Sequence, residues 1–118
     1  MGKRWYATWH DSWRTARGVM RSLRLYYGDR ERRAAMERLY ARFVNAGDLV
    51  FDIGAHVGDR CAVFRRLGAR VVAVEPQPAL IKTLKLLYGR DSALAIEPVA
   101  IGRSAGMLEL QLNVDNPT

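Results

Sequence analysis

An acidic residue and two glycines lie close together near the middle of the chain, in the run from Asp52 to Gly58, which reads DIGAHVG. Glycines at such a turn let a ligand approach the backbone, because no Cβ stands in the way, and they adopt backbone angles that other residues avoid. A helix beginning after Gly58 would add unpaired N–H groups and a partial positive charge, which suit a carboxylate or another anion. The run therefore predicts a ligand-binding turn.

A second acid, Glu75, lies 21 residues after Gly54 at the end of another apolar run. An acid at that place can accept hydrogen bonds from both hydroxyls of a ribose. The turn, the helix and the acid together predict a site for an adenosine-containing cofactor.

The spacing of the glycines distinguishes between the possible cofactors. Dinucleotide-binding proteins use G-x-G-x-x-G to bring the backbone against a pyrophosphate, whereas this chain has D-x-G-x-x-x-G, with Ala55 and Val57 between the glycines. The run G-x-x-x-x-G-K-[ST] is absent from the sequence, which excludes a P-loop. An acid two residues before the first glycine would repel a pyrophosphate, but it suits an ammonium group. S-adenosylmethionine has an ammonium, a carboxylate, a sulfonium and an adenosine, and fits each feature.

The elements that must position these residues follow from the apolar pattern. Short apolar runs are typical of buried parallel strands, and they occupy 49–53, 70–75 and part of 93–101. Helices ended by glycine are predicted between them, over 59–67 and 79–88. This alternation predicts an α/β fold with a Rossmann-like parallel sheet.

The Rossmann-like part is predicted to span residues 47–118 and to be a half-domain. A turn over 102–106 leads into a fourth, alternating strand at 107–113. Doubly wound nucleotide-binding folds normally add further βα units on the other side of the first strand. We therefore expect an incomplete domain.

Residues 1–46 are predicted to be a basic extension of two helices. They hold 11 basic and 4 acidic groups, whereas residues 47–118 hold 8 of each. The second helix is predicted to begin at the capping residue Asp29, and its apolar face would comprise Met36, Leu39, Tyr40, Phe43 and Val44.

The first helix carries an apolar stripe beside a row of arginines. The stripe comprises Trp5, Trp9, Trp13, Ala16, Met20, Leu23 and Tyr27, and the row comprises Arg14, Arg17, Arg21 and Arg24. We expect the stripe to dock on the sheet or on a partner subunit. In the second case the protein would be a homo-oligomer. Two alternatives are contact with an anionic membrane surface and contact with nucleic acid, although no nucleic-acid motif accompanies the charge.

Several other classes of protein and site are disfavoured. The single cysteine, Cys61, cannot form an internal disulfide and is predicted to be a small buried hydrophobe. One cysteine and two histidines make a structural zinc site unfavourable, so no metal site is predicted. No apolar run reaches the roughly 18 residues of a membrane span, and no secretory signal pattern is present. A reducing, cytoplasmic setting is expected.

The two halves of the motif, Leu49–Asp59 and Gly68–Pro78, resemble the S-adenosylmethionine-dependent methyltransferases of the FkbM type. The resemblance extends through the segment from Val99 to Gly102 and the hairpin that follows, and covers roughly residues 35–118. It implies methylation of oxygen on a small molecule or sugar.

The resemblance also assigns roles to individual residues. The methionine end of the cofactor would be lined by Asp52, Gly54, Ala55 and Gly58. The ribose would be held by Glu75 with Pro76 beside it, and the adenine would lie near Val99 and Ala100. His56 stands where many relatives have asparagine, and either side chain can donate a hydrogen bond.

No catalytic residue is assigned. Methyl transfer is an in-line displacement that depends on the alignment of two bound reactants, and a hydroxyl acceptor also needs a general base in some enzymes. His56 and Asp59 lie near the mouth of the turn, but neither is a convincing base. Because the half of the fold that supplies the acceptor pocket is not recognisable, the chain alone is expected to have little or no transferase activity; robust methylation of a hydroxylated acceptor would contradict this.

Two other functions stay open. A nicotinamide-dependent oxidoreductase would share the fold, although the missing central glycine disfavours it. A non-catalytic remnant or interaction module would keep the fold and bind a partner through the basic helices.

Overall fold

The computed structural model describes residues 9–106, with side chains described from Arg14 onward. The elements in chain order are α1 (Trp9–Tyr27), α2 (Arg30–Tyr40), β1 (Leu49–Ile53), α3 (Asp59–Arg66), β2 (Arg70–Val74), α4 (Pro78–Tyr88) and β3 (Leu94–Glu97). Trp5 and the predicted fourth strand at 107–113 lie outside the described residues.

The strands form a parallel sheet in the order β1-β2-β3. Leu49 lies opposite Arg70 across the first pair, and Val71 lies opposite Leu94 across the second. Each connection between strands contains one helix, as parallel strands require. The predicted α/β fold with a parallel sheet is therefore confirmed for this part of the chain.

The main core lies on one face of the sheet, beneath α3 and α4. Parallel strands alternate their side chains between faces, so β2 and β3 supply Val71, Ala73 and Leu94 to this core, and α3 and α4 supply Cys61, Phe64 and Leu84. Cys61 is fully buried, which confirms the prediction that it packs as a small hydrophobe.

The opposite face of β1 is only half covered. Leu49, Phe51 and Ile53 each keep about half of their surface exposed to solvent. Burying such side chains completely is favourable by roughly 1.5–3 kcal/mol each, so covering this face further would stabilise the sheet.

Helix α1 packs on the body through a face that only partly coincides with the predicted stripe, whose members Leu23 and Tyr27 do contact the body. Val19 is buried against Val57 and Leu80, with Leu23 and Tyr27 beside them. Two members of the predicted stripe, Ala16 and Met20, are exposed instead. The buried face is turned from the predicted one by about one residue, or roughly 100°. The small residues Gly18 and Ser22 are buried too, which allows α1 to approach the body closely.

Helix α2 begins as predicted but packs less completely. Asp29 caps it by accepting a hydrogen bond from the Arg32 N–H at 2.9 Å. Tyr40 and Val44 pack against the main core. Leu39 and Phe43 are exposed, so the predicted apolar face is wrong for these two residues. Phe43 follows the last helical residue, Tyr40, in a turn where the helical period no longer holds.

Among the described helices, none is long and apolar enough to cross a membrane.

Candidate functional site

The turn between β1 and α3 adopts the strained backbone that its glycines suggest. Gly54, His56 and Gly58 have positive φ angles of 70°, 57° and 80°. The N–H groups of Gly54 and Ala55 both donate to the Val74 carbonyl, at 2.9 and 3.0 Å. These bonds fix the turn against the carboxyl end of β2, so the turn lies at the edge of the sheet where the carboxyl ends of β1 and β2 meet.

The two glycines of the turn have different surroundings. A Cβ on Gly58 would lie 2.7 Å from Tyr88 Cε2 and 2.8 Å from Leu84 Cδ2, so these side chains would have to shift to make room for it. A Cβ on Gly54 would meet nothing within 4 Å. Gly58 therefore serves the packing of α4, whereas Gly54 leaves the backbone open to a ligand.

Glu75 follows β2 directly, with only 3% of its surface exposed. Its Oε1 accepts a hydrogen bond from the His56 N–H at 3.0 Å, and its Oε2 accepts one from the Gln77 N–H at 2.9 Å. Each carboxylate oxygen has further lone pairs. Glu75 is thus a fixed carboxylate with acceptor capacity remaining on both oxygens.

A cavity of about 430 Å³ opens between the turn and Glu75. This volume lies in the range typical of small-molecule sites. Four predicted residues line the cavity, namely Gly54, His56, Glu75 and Pro76. The N-terminal helices and α3 add side chains that sequence reasoning missed as site residues, including Tyr26, Arg32 and Arg60.

His56 lines this cavity and carries a buried ring nitrogen. Its ring packs edge-on against Tyr26, with the ring centroids 5.4 Å apart. Its Nε2 is buried and has no hydrogen-bond partner among the described residues. Buried polar atoms are nearly always hydrogen-bonded, so Nε2 lacks the partner that such an atom usually has.

Asp52 is buried at the end of β1, with 3% exposure, and both of its oxygens are engaged. The guanidinium of Arg60 lies on Oδ1, with Nη2 at 2.8 Å, and the Cys61 thiol donates to Oδ2 at 3.2 Å. Nη2 also donates to the Gly54 carbonyl at 3.0 Å. A cation of the protein itself therefore occupies the place beside Asp52 where the resemblance puts the ligand's ammonium.

The charge of this pair and the burial around it change neighbouring pKa values. Burial alone would lower the pKa of Arg60, but the charge and hydrogen bond of Asp52 and the charge of Asp59 together raise it. Burial, followed by the charge of Asp52, raises the pKa of the Cys61 thiol far above its ordinary value. The thiol therefore stays protonated and is not a nucleophile.

The acid Asp59 opens α3 and is already paired. Its Oδ2 accepts from Arg32 Nη1 at 2.8 Å. The same guanidinium lies over the ring of Tyr26, 4.8 Å from its centroid. Since the carboxylate is committed to a cation, Asp59 is not a free general base.

Two tyrosine hydroxyls hold the carbonyls of the turn. Tyr27 donates to the Val57 carbonyl at 2.7 Å, and Tyr88 donates to the Gly58 carbonyl at 2.9 Å. The two hydroxyl oxygens are also 2.6 Å apart. Each hydroxyl has one proton, so the two protons are shared among three contacts, namely the two carbonyls and the contact between the hydroxyls. Burial is the largest cause that raises the pKa of both tyrosines. Through Tyr27, α1 thus holds the glycine turn in place.

The remaining predicted site residues lie elsewhere. Ala55 is buried in the main core rather than at the cavity surface. Val99 and Ala100 are exposed after β3 and do not line the cavity. No group of three metal-ligating side chains occurs among residues 14–106, the part with described side chains.

Comparison with known protein families gives no matching family. Comparison with curated proteins gives no similar protein.

Proposed function

We propose that this chain is the Rossmann-like, cofactor-binding part of an S-adenosylmethionine-dependent methyltransferase of the FkbM type. The observation that carries the proposal is the Glu75 carboxylate, which is buried and held by two backbone N–H groups. It faces the open side of the turn at Gly54, across one cavity.

Glu75 would hold the ribose. Its two oxygens keep lone pairs for the two hydroxyls of a diol. The cavity wall continues from Glu75 into Pro76 and Gln77, which supply surface beside the sugar. An amide or an apolar side chain at this position could not accept from both hydroxyls while also accepting from the backbone.

Asp52 and Arg60 would bind the amino-acid end. A ligand with both an ammonium and a carboxylate allows an exchange of partners, in which Asp52 takes the ammonium and Arg60 takes the carboxylate. One ion pair is then replaced by two, so neither Asp52 nor Arg60 is left without a partner of opposite charge. His56 Nε2 and the N–H groups that begin α3 add hydrogen-bonding capacity nearby.

When bound, the sulfonium of this cofactor supplies the methyl group. The part of the chain described here contributes binding and alignment, which are the larger share of catalysis in an in-line displacement. Asp59 is paired with Arg32, and no other described cavity residue is a free carboxylate positioned to serve as base. We propose that other elements provide the acceptor pocket for a small-molecule or sugar hydroxyl, and that the reaction occurs in the cytoplasm.

A calorimetric titration of the chain with S-adenosylhomocysteine and, separately, with NAD tests the proposal. Saturable binding of S-adenosylhomocysteine without binding of NAD is the expected result. Binding of NAD alone would favour the oxidoreductase, whose fold is similar. Binding of neither compound at millimolar concentration would contradict a cofactor site and favour an interaction module.

A further inference from the structure

The side of α1 that faces away from the body carries a row of arginines. Arg14, Arg17, Arg21 and Arg24 follow each other at steps of three and four residues, and all four are exposed. Residues spaced in this way share one side of a helix. Within the described part of the chain, none of the four forms an ion pair.

The described part of the fold makes no ion pair with these arginines. Helix α1 is held to the body by its other side, through Val19, Leu23 and Tyr27. Elsewhere in the structure arginines pair with carboxylates, as Arg32 does with Asp59 and Arg65 with Asp91. Among the described residues, the row on α1 is thus a basic surface without ion pairs, about 15 Å long, since its ends are ten helical steps of 1.5 Å apart.

Apolar side chains lie among these arginines. Met20 is 52% exposed and Leu25 is 63% exposed. Trp9 and Trp13 belong to the same helix and precede Met20 by 11 and 7 residues. Both spacings are close to whole numbers of helical turns, which places the three positions in one line along α1. The exposed side of α1 therefore combines the arginines with the apolar side chains of Met20 and Leu25.

We propose that the outward side of α1 binds the surface of an anionic lipid bilayer. Helices that lie at a membrane interface combine arginine with tryptophan and aliphatic residues, because the cations meet lipid phosphates while the apolar side chains enter the acyl boundary. Guanidinium groups suit phosphate oxygens particularly well. A nucleic acid backbone would also match the charge, but it offers nothing to the exposed side chains of Met20 and Leu25, so the lipid surface fits more of the observed features.

The three tryptophans provide a direct optical test, because the chain contains only Trp5, Trp9 and Trp13. Their emission therefore reports on the first thirteen residues alone. The chain is titrated with vesicles of phosphatidylcholine, and with vesicles in which part of that lipid is replaced by phosphatidylglycerol. Co-flotation and a blue shift of emission with the anionic vesicles only, both weakened by added salt, are the expected results.

Two triple variants with equal changes of net charge separate a specific surface from general basicity. The first reverses Arg17, Arg21 and Arg24 to Glu on α1. The control reverses Arg70, Arg90 and Arg103 to Glu, three exposed residues on other parts of the fold. We expect the first variant to bind anionic vesicles at least about tenfold more weakly, and the control to keep most of its affinity. Circular dichroism checks that both variants retain their helices.

Three results would overturn the proposal. One is the absence of binding to anionic vesicles by the unmodified chain. Another is an equal loss of binding in the two triple variants. The third is displacement of the chain from vesicles by duplex DNA at low concentration, which would assign the surface to nucleic acid. The outcome is independent of the cofactor titration, since none of these arginines lines the cavity.

Discussion

Arg60 places its guanidinium on the buried carboxylate of Asp52, with Nη2 2.8 Å from Oδ1. Arg60 belongs to the first turn of α3, and Asp52 to the end of β1, so the pair spans the glycine turn. Nη2 also donates to the Gly54 carbonyl at 3.0 Å. One cation therefore both neutralises the buried acid and fixes the backbone of the glycine turn.

Replacing Arg60 by Met should destabilise the fold, because Asp52 would then be a buried carboxylate without a cation. Removing one partner of a fully buried pair costs about 3–5 kcal/mol. Since 37% of the Arg60 side chain is exposed, we expect a loss of about 1–3 kcal/mol in the free energy of unfolding, measured with urea. The double variant R60M/D52N should lose less than the sum of the two single variants.

A matched control for R60M exists on the protein surface. Arg66 lies 3.4 Å from Glu37, and both side chains are more than a third exposed. Exposed pairs contribute about 0–1 kcal/mol, so R66M should change stability much less than R60M. Equal losses in the two variants would show that the Asp52–Arg60 pair does not hold the turn.

Alanine at the two glycines of the turn should separate ligand access from stability. At Gly54 the added Cβ meets no atom, so G54A is expected to cost only about 1–2 kcal/mol for the left-handed backbone. At Gly58 the Cβ would also collide with Tyr88 and Leu84, so G58A should be clearly less stable. G54A should reduce S-adenosylhomocysteine binding while the chain stays folded. Comparable melting temperatures for both variants would refute this division of roles.

Removing the hydroxyl of Tyr27 should loosen the turn from α1. In Y27F the Val57 carbonyl loses its donor at 2.7 Å, and the contact with the Tyr88 hydroxyl disappears. A loss of about 1–2 kcal/mol is expected, together with faster amide hydrogen exchange in the turn. The conservative control is Tyr26→Phe, since Tyr26 contacts His56 and Arg32 through its ring. If the amide hydrogens of the turn exchange at the same rate in Y26F and Y27F, the hydroxyl groups of Tyr27 and Tyr88 do not hold the turn.

Asp91 should make the stability of the fold depend on pH in the acid range. The hydrogen bond from Arg65, followed by that from the Ala93 N–H, lowers the pKa of Asp91 below its ordinary value of 3.8. A carboxyl with a lowered pKa stabilises the fold above its unfolded pKa, and that contribution disappears as the pH falls through its folded pKa. D91N should therefore be less stable than the unmodified chain at neutral pH, and the difference should shrink as the pH falls below about 4.

Unfolding by urea at a series of pH values measures this difference. In the background of Arg65→Met, which removes the principal cause of the shift, D91N should show a much smaller dependence on pH. A difference between D91N and the unmodified chain that is constant from acid to neutral pH would contradict the assignment.

The sheet and its two connecting helices were predictable from the sequence because local signals agree there. The apolar runs at β1 and β2 are short, and glycines or prolines end the elements between them. The predicted helix over 59–67 is observed as Asp59–Arg66, and the one over 79–88 as Pro78–Tyr88. Turn chemistry and apolar period point to the same structure, which is the condition under which sequence reasoning succeeds.

The packing of the N-terminal helices was less predictable, because it depends on contacts between distant residues. The apolar stripe of α1 suggested a buried face through Ala16, Met20 and Tyr27, but the body contacts Val19 and Tyr26 together with Tyr27, and leaves Ala16 and Met20 exposed. The helical repeat of apolar residues does not show which of two neighbouring apolar faces is buried, when the two faces differ by one residue.

In the candidate site, too, some residues are marked by local sequence patterns and others are brought in only by tertiary contacts. Gly54 and Glu75 carry local signals and both line the cavity. Arg32 and Tyr26 reach the same cavity from more than twenty residues earlier in the chain, and no short-range pattern marks them. The pairing of Arg60 with Asp52 depends on how the turn folds back, which only the three-dimensional structure shows.

The proposed S-adenosylmethionine site depends most on the carboxylate of Glu75, and one calorimetric comparison tests this role directly. S-adenosylhomocysteine is titrated into the unmodified chain, into E75Q and into E97Q, where Glu97 ends β3 with an exposed side chain. An amide nitrogen cannot accept a hydrogen bond, so E75Q loses acceptor capacity beside the ribose. We expect E75Q to bind at least about tenfold more weakly and E97Q to bind as the unmodified chain does. Equal affinity of E75Q and the unmodified chain, with both shown to be folded by circular dichroism, would contradict the proposal that Glu75 holds the ribose.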